Sequence, residues 1–573
     1  MNKGYVTDVL PPLRIEDPDT AEWGRVCDVL VIGWGAAGAC TALEARASGA
    51  DVIVVDRFSG GGASAKSGGV VYAGGGTQQQ KKAGFSDCPE AMYQYLRHET
   101  QGIVVDKTLK RFCDQSRENL VWLESKGAPY SHEVPPGGKT SYPQDGYYLY
   151  YSGNEQVPAY QSEYPHAPRG HRTVGKGYGG VVLYHHLQQA CLREGVSVMT
   201  QSAARRLVID DAGRVVGAEL MCLPSGSKVA GLHGKLAARA EKFQNLSPAY
   251  SDRLRRRVSD IEKKYARPIL VRAFSGVALT TGGFIFNRDL IKTNASNYRR
   301  NFKIGATGCD GSGLRLGMSV RGAADHLNRV SAWRFINPPG YWPKGIVVNR
   351  QGERFCNEEV YGATLGHGIC ENQQGKAWLI LDSKLRWQSI KQCLFGGYWL
   401  FQSGPALMLM LLGARKGKTL PELASRCQMD ARQLQQSMDL YNQAIDEGQP
   451  DPLGKSSDYC QSLQKGPFYA LDISVSSPMF PLGALTLGGL NVNEGSGQVV
   501  DNDGCDIAGL FAAGRAAIGI PTHMYISGLS LADCVFSGRR AGRFMTRNLS
   551  RQCSQVRCKS VEHADHELSI ENL

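Results

Sequence analysis

Cys27-Asp28-Val29-Leu30-Val31-Ile32-Gly33-Trp34-Gly35-Ala36-Ala37-Gly38, followed by the amphipathic stretch Ala39 to Ala50 and by Val52-Ile53-Val54-Val55-Asp56, decides the fold of this chain. The run Asp28 to Ile32 reads as a buried parallel strand, and the glycine-rich turn after it opens a helix. Gly33 permits a tight turn, Gly35 lets backbone approach a pyrophosphate, and Gly38 lets helix pack close on strand. The helix N-terminus, with Ala36 and Ala37, then faces the anion. Val52 to Val55 form the next strand and deliver Asp56 to a ribose hydroxyl. GxGxxG alone is weak evidence. Strand, turn, helix, strand and acid in that order within about 30 residues spell a site for an adenine dinucleotide.

The rest of the chain decides which dinucleotide. A nicotinamide cofactor needs nothing special after Asp56, whereas a flavin must be held along its length. Beyond Arg57, the stretch Ser59 to Thr77 reads SGGGASAKSGGVVYAGGGT. It is too glycine-rich for a regular element and suits backbone donors laid along a ribityl-pyrophosphate. Arg57, Ala63, Ser64, Ser67, Gly68 and Gly69 are therefore candidate cofactor contacts. Ser197 to Leu220 reads as strands joined at Asp211-Ala212-Gly213, a hairpin placed to brace the adenine near Ala204. Two later stretches, Thr280-Thr281-Gly282-Gly283-Phe284 and Gly509 to Arg515, look like strand ends returning to the same cofactor, which makes Gly283 and Gly514 contacts. Together they imply FAD.

Four blocks carry a resemblance to a known family: GWGAAG with Asp56, the run Ser67 to Thr77, Arg354-Phe355-Cys356-Asn357-Glu358, and Tyr525-Ile526-Ser527-Gly528-Leu529-Ser530-Leu531. Over roughly Asp28 to Gly542 the chain resembles the FAD-dependent fumarate reductase superfamily and, within it, the 3-ketosteroid dehydrogenases, most closely the Δ4-(5α) type. Dicarboxylate-reducing members carry a histidine- and arginine-rich stretch before the final helix, where this chain has Met524-Tyr525-Ile526-Ser527. The nearest alternatives are the Δ1 type and a fumarate reductase-like alkene reductase. No histidine lies within Ala63 to Ser67, so the resemblance implies noncovalent FAD. Asp310-Gly311-Ser312-Gly313 resembles the family turn near the flavin diphosphate. Arg515 departs from the family pattern, which has an acid at the ribityl chain.

The expected architecture is α/β: a Rossmann-like FAD-binding domain, discontinuous in sequence, with an inserted α+β capping domain. Its first part spans 25–285, the cap 286–459, the second part 460–546, and a polar tail 547–573. The 573 residues, 42% of them hydrophobic, supply ample core. The sixteen cysteines are scattered with no CxxC pair, which argues against a disulfide framework or a metal site. No apolar stretch is long enough to span a bilayer, and a cytoplasmic location is the default. The formal charge of +12 is uneven: residues 225–268 hold eleven Lys or Arg against four Asp or Glu. Leu254, Val258, Ile261 and Tyr265 in that segment have helical spacing, so a basic amphipathic helix resting peripherally on the inner membrane face is one expectation, and a solvated helical insertion the other. Nucleic-acid binding is not supported, because no recognition fold accompanies the charge.

Oxidising a saturated ketone beside its carbonyl requires a base at the alpha carbon, a donor to the carbonyl, and a flavin whose N5 takes a hydride from the beta carbon. Carboxylates are poor bases in an apolar sterol pocket, so Tyr and Ser hydroxyls are the better candidates. Tyr525 and Ser527, two residues apart in an extended segment, point the same way. They precede a final helix of roughly Ser530 to Thr546, whose N-terminal end, with Ser530 and Leu531, is aimed at the flavin pyrimidine. By resemblance, Tyr361 is the cap tyrosine facing the flavin. Which hydroxyl is the base stays open. Seven tyrosines between Ser141 and Tyr164, Tyr147, Tyr148, Tyr150 and Tyr151 among them, line either a flat substrate slot or a self-packed loop. The expected partners are a small hydrophobic ketosteroid and an unidentified electron acceptor. A flavin-binding electron-transfer partner without a substrate pocket is the reading from a different class.

Overall fold

A computed structural model describes residues 4–547 and 549. Arg25–Ile32 lies inside a nine-stranded sheet, parallel to Val52–Val55 on one side and to the end of Arg267–Leu279 on the other. Val29, Leu30 and Val31 are fully buried, as expected of a strand covered on both faces. Asp506–Ala512 joins the same sheet, pairing Val277 with Leu510 and Leu279 with Ala512. Strands from both ends of the chain therefore finish side by side at one edge. The first helix runs Ala36–Ala47 rather than Ala39 to Ala50. Its first turn is made by the glycine motif itself, which places the first-turn N–H groups directly above the strand end.

Ser202–Ile209 and Val215–Cys222 form the expected hairpin, turning through Gly213 at φ +80°. A second, small sheet of Val70–Tyr72, Leu149–Tyr150 and Gly170–Arg172 lies under the glycine-rich stretch. The cap is built on a four-stranded sheet, Ile346–Val348, Trp378–Asp382, Phe468–Asp472 and Arg415–Gly417, covered by helices that include Ser383–Phe395 and Leu400–Met408. Phe468–Asp472 lies beyond residue 459, so the cap sheet extends past the boundary read from sequence. Its pairings with Trp378–Asp382 and Arg415–Gly417 assign that strand, and both are long-range contacts.

Residues 225–268 form two helices, Lys228–Lys242 and Pro248–Tyr265, leading into the long strand. The apolar stripe of the second helix faces inward: Leu254 and Val258 are buried, while Arg253, Arg256 and Arg257 are exposed. The hairpin is bolted to the body by ions. Arg57 pairs with Glu262 at 2.8 Å, buried Arg255 donates to Thr307 Oγ1 at 2.9 Å, and Glu241 accepts from Lys66 and Thr307. The amphipathic pattern is therefore real: Leu254 and Val258 are satisfied by protein, Ile261 is half-buried, and Leu232, Leu246 and Tyr265 are exposed. No helix among the described residues is long and apolar enough to cross a membrane. The polar tail expected at 547–573 lies, apart from residues 547 and 549, outside the described residues.

Candidate active site

Gly33 sits at φ +106°, and a Cβ there would stand 2.7 Å from the carbonyl of Thr280; at Gly38 it would stand 1.9 Å from the carbonyl of Gly33. Gly35 differs, because a Cβ would meet only Ser64 Oγ, at 3.4 Å, and the Gly61 carbonyl, at 3.9 Å. Two glycines are thus forced by packing, and the middle one faces a cradle. Ser64 Oγ accepts from the Ala36 N–H at 3.0 Å, and Ser67 Oγ donates to the Ser64 carbonyl at 2.7 Å, so Ala63, Ser64 and Ser67 form the cradle's second wall. Gly68 and Gly69 run beneath Tyr142, whose hydroxyl donates to the Gly68 carbonyl at 2.9 Å.

Asp56 ends its strand with its carboxylate held by the N–H groups of Trp34 and Phe58, both at 2.8 Å. Burial raises its pKa, and these N–H donors work in the opposite direction. The Ser202 N–H donates to the Asp56 carbonyl at 2.9 Å, which brings Ala204 and its strand to the ribose end. The side chains of Arg57 and Asp310 are committed to the protein. Asp310, fully buried, accepts from Thr7 at 2.7 Å, Arg57 at 3.1 Å and the Ser312 N–H at 3.0 Å. Both are candidate cofactor contacts, and their side chains tie the turn at 310 to the nucleotide strand.

The second part of the chain closes the cradle. Gly514 packs where a Cβ would stand 2.9 Å from Ala37 Cβ, and the Ala513 N–H donates to the Leu279 carbonyl at 3.1 Å. Gly283 backs onto Thr486, and Thr280 Oγ1 donates to the Gly33 carbonyl at 2.7 Å. Arg515 lies beyond Gly514, with Nη2 3.7 Å from Cys309 Sγ and Nη1 buried without a protein partner. An open face at Gly35 and an orphaned buried donor beside it are what a long anionic cofactor with polar edges would complete. The final helix is Leu529–Met545, and Gly528 at φ +91° turns the chain into it, so the N–H groups of Ser530 and Leu531 head the helix at this end.

Three separate segments bring hydroxyls together at the far end. Ser527 Oγ lies 3.0 Å from the Tyr150 hydroxyl, and its backbone is clipped to Ser152 by two hydrogen bonds of 3.0 Å. Tyr361 enters from the cap, its N–H donating to Asn154 Oδ1 at 2.6 Å and its hydroxyl close enough to Ser527 to feel its polarity. Tyr525 stacks on Trp333 at 5.2 Å, while Ile526 between it and Ser527 points into the core. Burial pushes Tyr525 up to about 12 and raises Tyr361 and Tyr150 as well, against the opposing pull of Arg515 on Tyr525 and of Ser527 on the other two. Tyr150 was seen in the sequence only as one of a tyrosine-rich run. The Arg354 block does not reach the cluster. It forms a buried ionic knot, Arg354 with Glu358 at 2.8 Å and Asp451 at 2.5 Å, and Lys455 with Glu358 at 2.8 Å, that anchors the loop leading to Tyr361.

A dinucleotide cradle assembled from both ends of the chain, with a cap closing over it, defines a two-part flavoprotein. The chain matches the FAD binding domain family over residues 28–528 and belongs to it; its cofactor is FAD. More particularly, it is 48% identical over 525 residues to the 3-oxo-5-alpha-steroid 4-dehydrogenase of Comamonas testosteroni, covering 89% of this chain and 97% of that protein. It is 26% identical over 584 residues to the 3-oxosteroid 1-dehydrogenase of Mycolicibacterium smegmatis, covering 88% and 94% respectively. Its fold matches the crystal structure of the 3-ketosteroid-delta4-(5alpha)-dehydrogenase from Rhodococcus jostii RHA1 in complex with 4-androstene-3,17-dione. That match has a TM-score of 0.78 at 28% identity, over 94% of this chain and all of the other. The resemblance read from the four sequence blocks is borne out.

Proposed function

We propose that this protein is an FAD-dependent dehydrogenase that introduces the Δ4 double bond into 3-oxo-5α-steroids. The observation that carries the reading is the convergence of Tyr525, Ser527, Tyr361 and Tyr150, hydroxyls set among aromatic rings, at the end of the flavin cradle. FAD, held noncovalently between the Gly33–Gly38 turn, Ser64 and Gly514, would supply the hydride acceptor when bound. Tyr525, raised to about 12, keeps its proton at neutral pH and is the donor to the 3-keto oxygen, with the Gly528 N–H beside it. Tyr361, Ser527 and Tyr150 lie together and form the path for the alpha proton. Each phenol resists ionisation by burial, so as one hydroxyl takes up the alpha proton the chain releases a proton to bulk water at its other end, and no phenolate persists. The reaction would need a separate electron acceptor as its second partner. Cysteines of the described residues are free thiols, as suits a reducing cytoplasm.

Steady-state assay of the purified protein with 5α-androstane-3,17-dione and an artificial acceptor tests the reading. The expected product is the 4-ene. Tyr525→Phe is expected to lower kcat/KM by about 100- to 1,000-fold, the scale for losing one preorganised oxyanion donor. Full activity in that variant removes Tyr525 from its role, and a 1-ene product or turnover of fumarate alone overturns the substrate reading.

A further inference from the structure

The apolar surface of this molecule is unevenly distributed. Of the twenty large apolar side chains exposed among the described residues, eight fall between Trp387 and Leu412, on Ser383–Phe395, Leu400–Met408 and the turn of helix that follows. Phe395 is 84% exposed, Leu400 82% and Leu412 73%, on either side of the Gly396-Gly397 connection. A patch of this kind on a water-soluble surface marks an interaction site.

Its charge points to the occupant. From Ser383 to Pro421 the chain holds Lys384, Arg386, Lys391, Arg415, Lys416 and Lys418 and no Asp or Glu. All of these except Arg386 are exposed. Arg386 instead donates to the Met410 carbonyl at 2.9 Å and so ties the two helices together. Apolar side chains rimmed by an excess of cations, one of which, Lys418, faces an acid, Glu422, match the acyl boundary and headgroups of an anionic bilayer. A two-fold contact with a second copy would set this basic rim against itself.

The patch is also continuous with the hydroxyl cluster. Phe401 packs on Tyr178 at 5.2 Å and Tyr142 at 6.2 Å, and stacks on Trp399 at 6.4 Å. The Trp399 indole donates to the Pro143 carbonyl at 3.0 Å, and its ring covers a cluster of Val70, Tyr142 and Tyr150. Tyr150 in turn touches Ser527. A chain of rings thus leads from the exposed face to the site, a path along which an apolar sterol need not enter water.

We propose that this cap face is a peripheral docking surface for an anionic lipid bilayer, set beside the substrate entrance; the entrance part of the proposal rests on the steroid reading above. The location differs from residues 225–268, where Leu254 and Val258 are buried and three large apolar side chains, Leu232, Leu246 and Tyr265, are exposed against eight here. The test is co-sedimentation of the holoenzyme with vesicles of phosphatidylcholine alone and of equimolar phosphatidylcholine and phosphatidylglycerol. Binding to the phosphatidylglycerol vesicles is expected, with Phe395→Glu/Leu400→Glu weakening it roughly tenfold or more while flavin content and turnover of cyclodextrin-solubilised steroid are kept. Arg253→Glu/Arg256→Glu on the outer face of the 248–265 helix is expected to bind as the unaltered protein does. Failure of the unaltered protein to sediment, or equal binding by the Phe395→Glu/Leu400→Glu variant, overturns the proposal. So does a dimer in analytical ultracentrifugation that this variant dissolves, which would assign the face to a second copy. Sedimentation needs no turnover, so loss of the steroid reading would show separately, as no reaction with the solubilised steroid.

Discussion

Tyr150 lies in a run where nothing in the spacing separates it from Tyr147, Tyr148 or Tyr151. Pairing of Leu149–Tyr150 with Gly170–Arg172 aims its hydroxyl at Ser527, and that pairing is invisible locally. Behind the cluster, buried Glu99 accepts from Tyr95 at 2.7 Å and from Asn154 at 2.9 Å, and Asn154 holds the Tyr361 backbone. Burial pushes Glu99 up to about 7. A carboxyl whose folded pKa is raised gives stability that is fully present below its unfolded value, near 4.5, and is lost as pH rises through about 7. We expect this one group to remove about 3 kcal/mol between those limits. Denaturant titrations at pH 5 and pH 8 should show that loss reduced in Glu99→Gln; an unchanged difference would mean Glu99 does not titrate there.

At the scale of elements, the helical hairpin of residues 228–265 shows how one pattern can serve two ends. Its periodicity was legible, and so was its charge, but the direction of its apolar face depends on partners far away in sequence. Glu262 binds Arg57 at 2.8 Å and His233 at 3.0 Å. Burial alone would raise it, yet these two hold it down to about 2. Glu262→Ala leaves Arg57 with Asp310 and, more weakly, Asp8 as acidic partners in a poorly hydrated place, and an expected loss of about 3–5 kcal/mol follows. Thermal or urea unfolding measures it, and a loss under about 1 kcal/mol would show that the hairpin is not held through this pair. A second consequence is that the hairpin braces the nucleotide strand, since Arg57 follows Asp56 directly.

Across the whole molecule, the cofactor cradle has one wall from the front of the chain and one from the back, meeting where Gly514 packs on Ala37. A ligand that bridges both walls stabilises them together, by about 2.7 kcal/mol at a hundredfold excess over its dissociation constant. Flavin release and loss of helical signal are therefore expected in a single thermal transition of the holoprotein, with a lower Tm once FAD is removed. Flavin release well below the main transition would place the cofactor on one wall only. The dinucleotide fold was readable from Cys27 to Asp56 because its determinants are local: a strand-length apolar run, glycines where a Cβ cannot fit, and an acid at fixed spacing. The Tyr525–Ser527 segment was readable because two residues apart in extended chain share a side. What only the tertiary structure decided were the inclusion of Phe468–Asp472 in the cap sheet, the burial of the 254–258 stripe, the commitment of Arg57 and Asp310 to ion pairs, and the arrival of Tyr150 at Ser527. Each depends on contacts between residues remote along the chain, and no local pattern encodes which distant surface a side chain will meet.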